Sequence, residues 1–293
     1  MRAKLPHPLN PLCAEVEQAR EGVPPIVNVR YILLVLIQLT WIPATAGAQT
    51  SRPNLEGMWS DPPSTAVGTF CFFACTDAGI ERLNALLDDP ANDARPFREL
   101  QAEAKKVEGD YIRARLSAAA LKTYPLDPAE DPGFLRCEPW GLARQMLAPH
   151  QIEIRQRGAD RIALRYGEWD ARRTIYMDGR NRPANQSRSL LGYSVGRWDG
   201  EALVVETSDI AENIAFAPDL SLMQHSNQLR VIERYTRSKD GKTLLLTATM
   251  EDPQTFREPV VIKKIWLWAP QQKIAPYKDC RRPTEFSRGV KPQ

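Results

Sequence analysis

The feature that most constrains the fold is a two-residue hydrophobic period that begins near Ile152 and lasts to Trp268. Alternation of apolar and polar residues is typical of half-buried β-strands, and Gly and Asp between the apolar runs indicate tight turns. The predicted strands are 151–157, 161–166, 172–177, 195–198, 202–207, 229–236, 243–251 and 260–268, with an earlier one at 54–60.

These strands are connected by segments that contain no helix long enough for a parallel crossover. Eight or nine such strands are the number at which an up-and-down barrel closes around one small ligand. Gly57-x-Trp59 also resembles the G-x-W of lipocalin-type barrels, whose tryptophan plugs the barrel floor. The sequence therefore predicts a mainly β fold, a lipocalin-like antiparallel up-and-down barrel.

A helical insertion, residues 76–124, separates the first strand from the others. Its first helix is predicted to begin behind the capping residue Thr76 and to end before Pro90, and a second runs through 97–121. A Pro-rich segment at 125–150 follows, which we call the strap and expect to cross the domain.

Residues 1–48 are expected to be an extension plus a signal peptide. The apolar run 31–42 follows Arg30 and precedes Ala46-Gly47-Ala48, a small-x-small cleavage site. Its length is below the roughly 20 residues that span a bilayer, so no stable membrane insertion is expected. The sequence thus predicts cleavage after Ala48, a single barrel domain at 49–293 and a periplasmic or secreted protein.

The cysteines of the mature chain fit an oxidising compartment. Cys71, Cys75, Cys137 and Cys280 form an even set suited to two disulfides, whose pairing the sequence leaves open. Only Cys71 and Cys75 are close-set, whereas structural zinc sites use two such pairs. We therefore predict disulfides rather than a metal site.

Charge and motif content narrow the function classes. The chain has 39 Lys and Arg against 36 Asp and Glu and lacks the basic excess of nucleic-acid-binding proteins. His150 and His225, the histidines of 49–293, lack H-x-x-x-H or H-E-x-x-H spacing, and no phosphate loop or dinucleotide fingerprint occurs. No nucleic acid, metal or cofactor is expected.

The segment Gly192 to Gly196 matches the G-x-S-x-G elbow of serine hydrolases. That elbow requires a helix directly after the serine, whereas here Asp199-Gly200 is a hairpin signal followed by an apolar strand. Ser194 is therefore not expected to be a nucleophile.

Four motifs resemble those of a group of exported bacterial proteins of unassigned function. The resemblance covers roughly Ile152 to Trp268 and implies one continuous β domain in an exported protein, without implying catalytic residues. The motifs are Ile175-Tyr176-Met177-Asp178-Gly179-Arg180, Gly192-x-Ser194-x-Gly196-x-Trp198-Asp199-Gly200 with Leu203-Val204-Val205-x-Thr207, Leu229-Arg230-Val231-x-Glu233-Arg234-Tyr235, and Asp252-Pro253-x-x-Phe256.

Candidate catalytic residues are polar groups that interrupt apolar strand faces or lie near strand ends. Alternation places Glu233 on a face with leucine, valine and tyrosine, where a carboxylate suits acid–base chemistry or an internal Glu–Arg pair that fixes the barrel. Glu206 is a similar candidate, Asp178 lies in a turn, and His225 is predicted in a loop at an apolar barrel rim.

These residues suggest an acid–base site. His225 or Glu233 would accept a proton, Tyr176 would donate one, and Arg180 or Arg234 would hold developing negative charge. Further aromatic residues supply a ligand pocket, although many suit a core equally well: Tyr166, Trp169, Tyr193, Trp198, Tyr235, Trp266 and Trp268.

Three functions remain open from the sequence. The first is a cofactor-independent lyase or isomerase acting on a small hydrophobic or aromatic molecule. The second is a non-catalytic carrier of such ligands, and the third is a structural envelope protein.

The signal peptide makes a direct prediction about the mature chain. We expect the exported protein to begin at Gln49, because cleavage follows Ala48. Intact mass spectrometry of the exported protein measures this, and a mature N-terminus well before Gln49 would contradict it.

Overall fold

The alternating stretches form a closed nine-stranded barrel in the computed structural model, which describes residues 52–61, 69–71 and 74–274. The prediction of a mainly β barrel with a helical insertion is confirmed. A separate hairpin is formed by β7 (Asn213–Phe216) and β8 (Leu222–His225). The nine strands of the barrel are β1 (Gly57–Ser60), β2 (Ile152–Arg157), β3 (Arg161–Tyr166), β4 (Arg172–Tyr176), β5 (Tyr193–Asp199), β6 (Ala202–Ser208), β9 (Arg230–Arg237), β10 (Thr243–Glu251) and β11 (Val260–Trp268).

One pair of neighbouring strands in the ring is parallel. The order is β1-β11-β10-β9-β6-β5-β4-β3-β2, and every pair is antiparallel except β4 with β5. Strand directions can alternate all the way round a closed ring only when the strand number is even, so nine strands require a parallel pair. We call the β4–β5 pair the seam and residues 177–192, which join its strands, the crossover. The sequence prediction of a wholly antiparallel barrel therefore misses one pair.

The barrel interior is filled by the inward residues of the strands. On β10, for example, Leu244, Leu246, Ala248 and Met250 are all buried. Removing such apolar surface from water is the dominant favourable contribution to folding. The alternation that predicted the strands thus also selects the core.

Trp59 lies at the end of the barrel where β1 meets β11. The side chain is fully buried, its indole Nε1 donates to the Leu55 carbonyl at 2.9 Å, and its ring packs edge-on against Trp268. Gly57 has φ +132°, and a Cβ there would lie 2.2 Å from the Trp268 ring. Both residues of the G-x-W motif are therefore explained by close packing.

The helical insertion contains α1 (Asp77–Asp88) and α2 (Phe97–Arg115). The Thr76 hydroxyl accepts a hydrogen bond from the Gly79 amide at 3.1 Å, as expected of a cap. The second helix ends at Arg115 rather than Leu121, because the backbone beyond it bonds to residues 255–257 instead of continuing the helix.

Buried charge ties this insertion to its surroundings. The Glu108 carboxylate on α2 accepts from the Thr76 amide at 2.7 Å and from Lys105 Nζ at 2.6 Å. Burial raises the pKa of Glu108 to about 7. Lys105 also donates to the Ala74 carbonyl, which fixes α2 against the segment between Cys71 and Cys75.

The disulfide prediction is confirmed for one pair. Cys71 and Cys75 are bonded to each other, with their Cα atoms 4.7 Å apart. Cys137 is also disulfide-bonded, and Cys280 lies outside the described residues. Residues 1–48, with the proposed signal peptide, lie outside them too.

The strap closes the barrel end at which β2 and β4 begin. It contains the short helices α3 (Pro132–Leu135) and α4 (Leu142–Gln145), and residues 142–148 are buried. Lys264, on the inner face of β11, donates to the Ala148 carbonyl and pairs with Asp61 at 3.1 Å. Separately, no helix in the described part of the chain combines the length and hydrophobicity of a transmembrane span.

Packing at Gly57 predicts a position-specific loss of stability. Gly57→Ala should lower the free energy of unfolding by roughly 2–4 kcal/mol, because the new Cβ overlaps Trp268 and the backbone has positive φ. Denaturant titration measures this. The matched control is Gly200→Ala, where φ is also positive but no atom lies within 4 Å, so the cost should be about 1–2 kcal/mol. Equal losses in both variants would contradict the packing argument.

Candidate functional site

The seam leaves an opening in the barrel wall. β4 pairs with β5 only through Ile175 with Ser194 and Tyr176 with Val195. The preceding residues Arg172 to Thr174 pair with β3 on one side and with no strand of the described residues on the other. A cavity of about 550 Å³ lies at this opening, and we call it the seam pocket. It is lined by residues of β4, of β5, of the crossover, of the strap and of the turn before β4.

Aromatic side chains form much of the lining. The rings of Tyr176 and Tyr193 stack with centroids 5.1 Å apart, and Trp140 meets Trp169 edge to face at 6.5 Å. Trp140 also packs on Phe216, outside the lining. The seam pocket therefore has aromatic surfaces contributed by four separate segments.

Two glycines explain why the G-x-S-x-G motif lies here. Gly192 has φ +67°, and a Cβ there would lie 2.5 Å from the Ser208 carbonyl oxygen. A Cβ on Gly196 would lie 2.6 Å from Ile175. The motif thus permits close approach of strands at the seam.

Ser194 itself is buried within β5 and lines the pocket. Its hydroxyl shares a hydrogen bond with the Thr207 hydroxyl at 3.0 Å, not with a base. The partner of Ser194 is thus a second hydroxyl, whereas a serine nucleophile is activated by a hydrogen-bonded base.

A buried ion pair lies behind the pocket. Arg173 Nη2 donates to Glu233 Oε2 at 2.6 Å, and the Tyr235 hydroxyl donates to Glu233 Oε1 at 2.7 Å. The side chains of Arg173 and Glu233 are 2% and 0% exposed, so the pair lies in the barrel interior. Arg173 is also among the residues that line the pocket.

Burial and charge shift the pKa values of this group. Burial alone would lower the pKa of Arg173, but the Glu233 carboxylate together with Tyr166 and Tyr235 outweighs burial, and the net shift is upward. Burial, reinforced by Glu233, raises the pKa of Tyr235 well above its usual range. Burial likewise raises the pKa of Tyr166 to about 12. Arg173 is therefore a permanent cation and both tyrosines stay protonated at neutral pH.

Arg173 has unused donors. Its Nε and Nη1 atoms are buried and have no hydrogen-bond partner in the described part of the chain. Unpaired buried donors are uncommon, because each forfeits its hydrogen bonds to water. These two nitrogen atoms therefore lack a hydrogen-bond acceptor in the described chain.

Several predicted site residues lie together at the seam. Tyr176 and Tyr193 line the pocket, and the Arg180 guanidinium lies over the Tyr176 ring at 4.3 Å. Arg180 Nε donates to Asp178 Oδ1 at 2.8 Å, and this bond lowers the pKa of Asp178 to about 2. Asp178 and Arg180 are thus an exposed pair beside the aromatic wall.

Glu206 and Arg234 do not reach the pocket. Glu206 alternates with inward Val205 and Thr207, lies on the outer face, and bonds Arg230 at 2.7 Å, which lowers its pKa. Arg234 forms an exposed ion pair with Asp199 at 2.6 Å. Their strand positions make them surface charges, in contrast to the roles proposed from the sequence.

Trp198 lies apart from the seam pocket as well. It lines a second cavity of about 260 Å³ at the opposite end of the barrel, together with Arg52 and Met177. Trp198, which the sequence predicted to contact the ligand, therefore does not line the seam pocket.

His225 lies in β8 and is buried, not in a loop at the rim. Its Nδ1 is within 3.0 Å of the Ser226 carbonyl, and burial lowers its pKa. The sequence prediction was wrong here because the four-residue strands of the β7–β8 hairpin are too short to display an alternating pattern. His225 does not line the seam pocket.

The Asp252-Pro253-x-x-Phe256 motif has a structural role. The Asp252 carboxylate accepts from the amide and hydroxyl of Ser226 and from the Thr255 hydroxyl, each at 2.7 Å. It thereby fixes the turn after β10 to the chain before β9.

Sequence reasoning missed Arg173 and Trp140. Alternation along β4 places Arg173 on the same inward face as Ile175, so the signal was present. Trp140 lies in the strap, where no periodic pattern exists to predict the direction of its side chain.

Comparisons with known proteins do not identify the site. The chain matches no family model, no curated protein and no solved structure. The functional inference therefore depends on the geometry of the seam pocket. That geometry combines aromatic walls with a buried cation that has unused donors.

The buried pair predicts strong coupling between Arg173 and Glu233. Arg173→Met should lower the free energy of unfolding by about 3–5 kcal/mol, because it leaves a buried carboxylate without its cation. Adding Glu233→Gln should recover much of this loss, and denaturant titration of the four proteins in the cycle measures the coupling.

The control for this cycle is Arg234→Met, which breaks an exposed pair and should cost about 0–1 kcal/mol. Additive effects of Arg173→Met and Glu233→Gln would contradict the coupling.

Proposed function

We propose that this protein is exported and binds a small, mainly apolar aromatic molecule in the seam pocket. The observation that carries the proposal is a cavity of about 550 Å³ lined by two aromatic pairs. Small-molecule sites commonly occupy roughly 300–1,000 Å³ and combine apolar walls with a few polar groups. Arg173 supplies such a polar group.

Binding without turnover is the function that the lining supports best. Its titratable side chains in the described chain are two arginines and two tyrosines, with no histidine, carboxylate, lysine or cysteine among them. Glu233, the proton acceptor predicted from the sequence, is already hydrogen-bonded to Arg173 and Tyr235. We therefore favour the carrier among the functions proposed from the sequence.

One observation supports an acid–base enzyme as a second candidate. Tyr176 has its ring in the pocket and the Arg180 cation above it, which pairs a hydroxyl donor with a positive charge. In that case Tyr176→Phe would lower turnover by roughly 10²-fold or more while leaving ligand affinity nearly unchanged.

Export is supported by the disulfide chemistry. Cys71 and Cys75 are bonded and Cys137 is also in the disulfide state, which suits an oxidising compartment such as the periplasm or the extracellular space. The apolar run at 31–42 supplies the proposed targeting signal.

A neutral fluorescent probe tests the binding site. N-phenylnaphthylamine should bind with increased emission, and Tyr193→Ala should weaken binding about tenfold because it removes one face of the aromatic wall. A fluorescence titration gives both dissociation constants.

The matched control is Trp198→Ala, on the same strand but outside the seam pocket. It should leave the affinity for the probe unchanged. Absence of probe binding, or equal weakening in both variants, would refute the seam pocket as the ligand site. Circular dichroism confirms that each variant is folded.

A further inference from the structure

We propose that the ligand of the seam pocket carries a carboxylate and that Arg173 binds this group. The proposal rests on the proposed function and adds the chemical class of the ligand, an aromatic carboxylic acid in its ionised form. It also assigns to Arg173 a second role beyond its pairing with Glu233.

The guanidinium of Arg173 has N–H donors that no group in the described chain accepts. A guanidinium has five N–H donors, of which Nε carries one and Nη1 two. Both nitrogens are buried and have no acceptor in the described chain, while Nη2 bonds Glu233. A carboxylate oxygen accepts up to two hydrogen bonds, so the ligand group would accept from Nη1, whose two N–H donors are unpaired, or from Nε on the other side of the guanidinium.

The charged side chains that line the seam pocket are both cations. The pocket is lined by Arg172 and Arg173 and by no acidic residue of the described chain. Arg172 is largely exposed and pairs with Asp170 at 3.0 Å, so it contributes a partly compensated positive charge at the rim. An anionic group at the Arg173 end therefore meets no opposing carboxylate within the pocket.

Glu233 bonds only one of the three nitrogens of the Arg173 guanidinium. Its two oxygens each accept one hydrogen bond, from Arg173 Nη2 and from the Tyr235 hydroxyl, and neither oxygen bonds Nε or Nη1 of Arg173. Arginine commonly joins two carboxylates through different nitrogens because its charge is delocalised. Arg173 would join Glu233 to the carboxylate of the ligand in this way.

The aromatic lining defines the rest of the ligand. Tyr193 and Trp140 line the same cavity as Arg173, so a ring next to the carboxylate would have aromatic side chains to pack against. An enclosed water molecule that satisfies Arg173 is the competing explanation, and it predicts no preference for a charged ligand.

A matched ligand series tests the inference on the unmodified protein. Naphthoate, its methyl ester and methylnaphthalene share one ring system and differ in the group offered to Arg173. Naphthoate should displace N-phenylnaphthylamine at a concentration at least about tenfold lower than either neutral analogue. Calorimetry measures the binding of naphthoate directly, independently of the probe.

Two variants assign the preference to Arg173. The charge-balanced pair Arg173→Met with Glu233→Gln should lose the preference for naphthoate, measured as the ratio of its dissociation constant to that of the methyl ester. Glu233→Gln alone should tighten naphthoate about fivefold or more, because it removes the charge that compensates Arg173. Arg234→Met, outside the pocket, should change neither the affinity for naphthoate nor the preference for naphthoate over the neutral analogues.

The outcomes separate the two proposals. If the probe binds but the three naphthalenes compete equally, or if the preference survives in the Arg173 variant, the carboxylate inference is overturned and the pocket stands. If neither the probe nor naphthoate binds, the proposed function fails as well.

Discussion

Closure of the barrel with an odd number of strands is the constraint on which the site depends. Nine strands in a ring need at least one parallel pair, and a parallel pair needs a long connection to return the chain. Here the pair is β4 with β5, and its ladder extends over only two residue pairs. The remaining length of β4 has no strand partner on that side within the part of the chain that the structure describes. The seam pocket and the crossover both follow from this.

The buried pair of Arg173 and Glu233 gives the seam its chemistry. An unpaired charge in an apolar core is costly, so each of the two residues stabilises the position of the other. The pairing is nevertheless incomplete, because two nitrogens of Arg173 have no acceptor in the described chain. A barrel that needed the pair only for stability would gain from satisfying those donors. Their location at the single parallel seam connects an interior polar group with a pocket that has aromatic walls.

Local patterns predicted most of the barrel and part of the site. Asp199-Gly200 predicted the β5–β6 hairpin, and alternation predicted that Glu233 and Tyr235 face inward. Prediction was wrong where tertiary contacts override local preference. The helix α2 stops at Arg115 because residues 255–257, in the turn between β10 and β11, bond to its backbone, and His225 lies in a strand that tertiary pairing creates.

The sequence by itself determined which side chains point into the barrel and where the chain turns, because a strand alternates its faces and glycine permits positive φ. Only the tertiary structure decided that Arg173 meets Glu233 and which strand pair is parallel. Those facts depend on the closure of the whole ring and on its register, which no local pattern encodes.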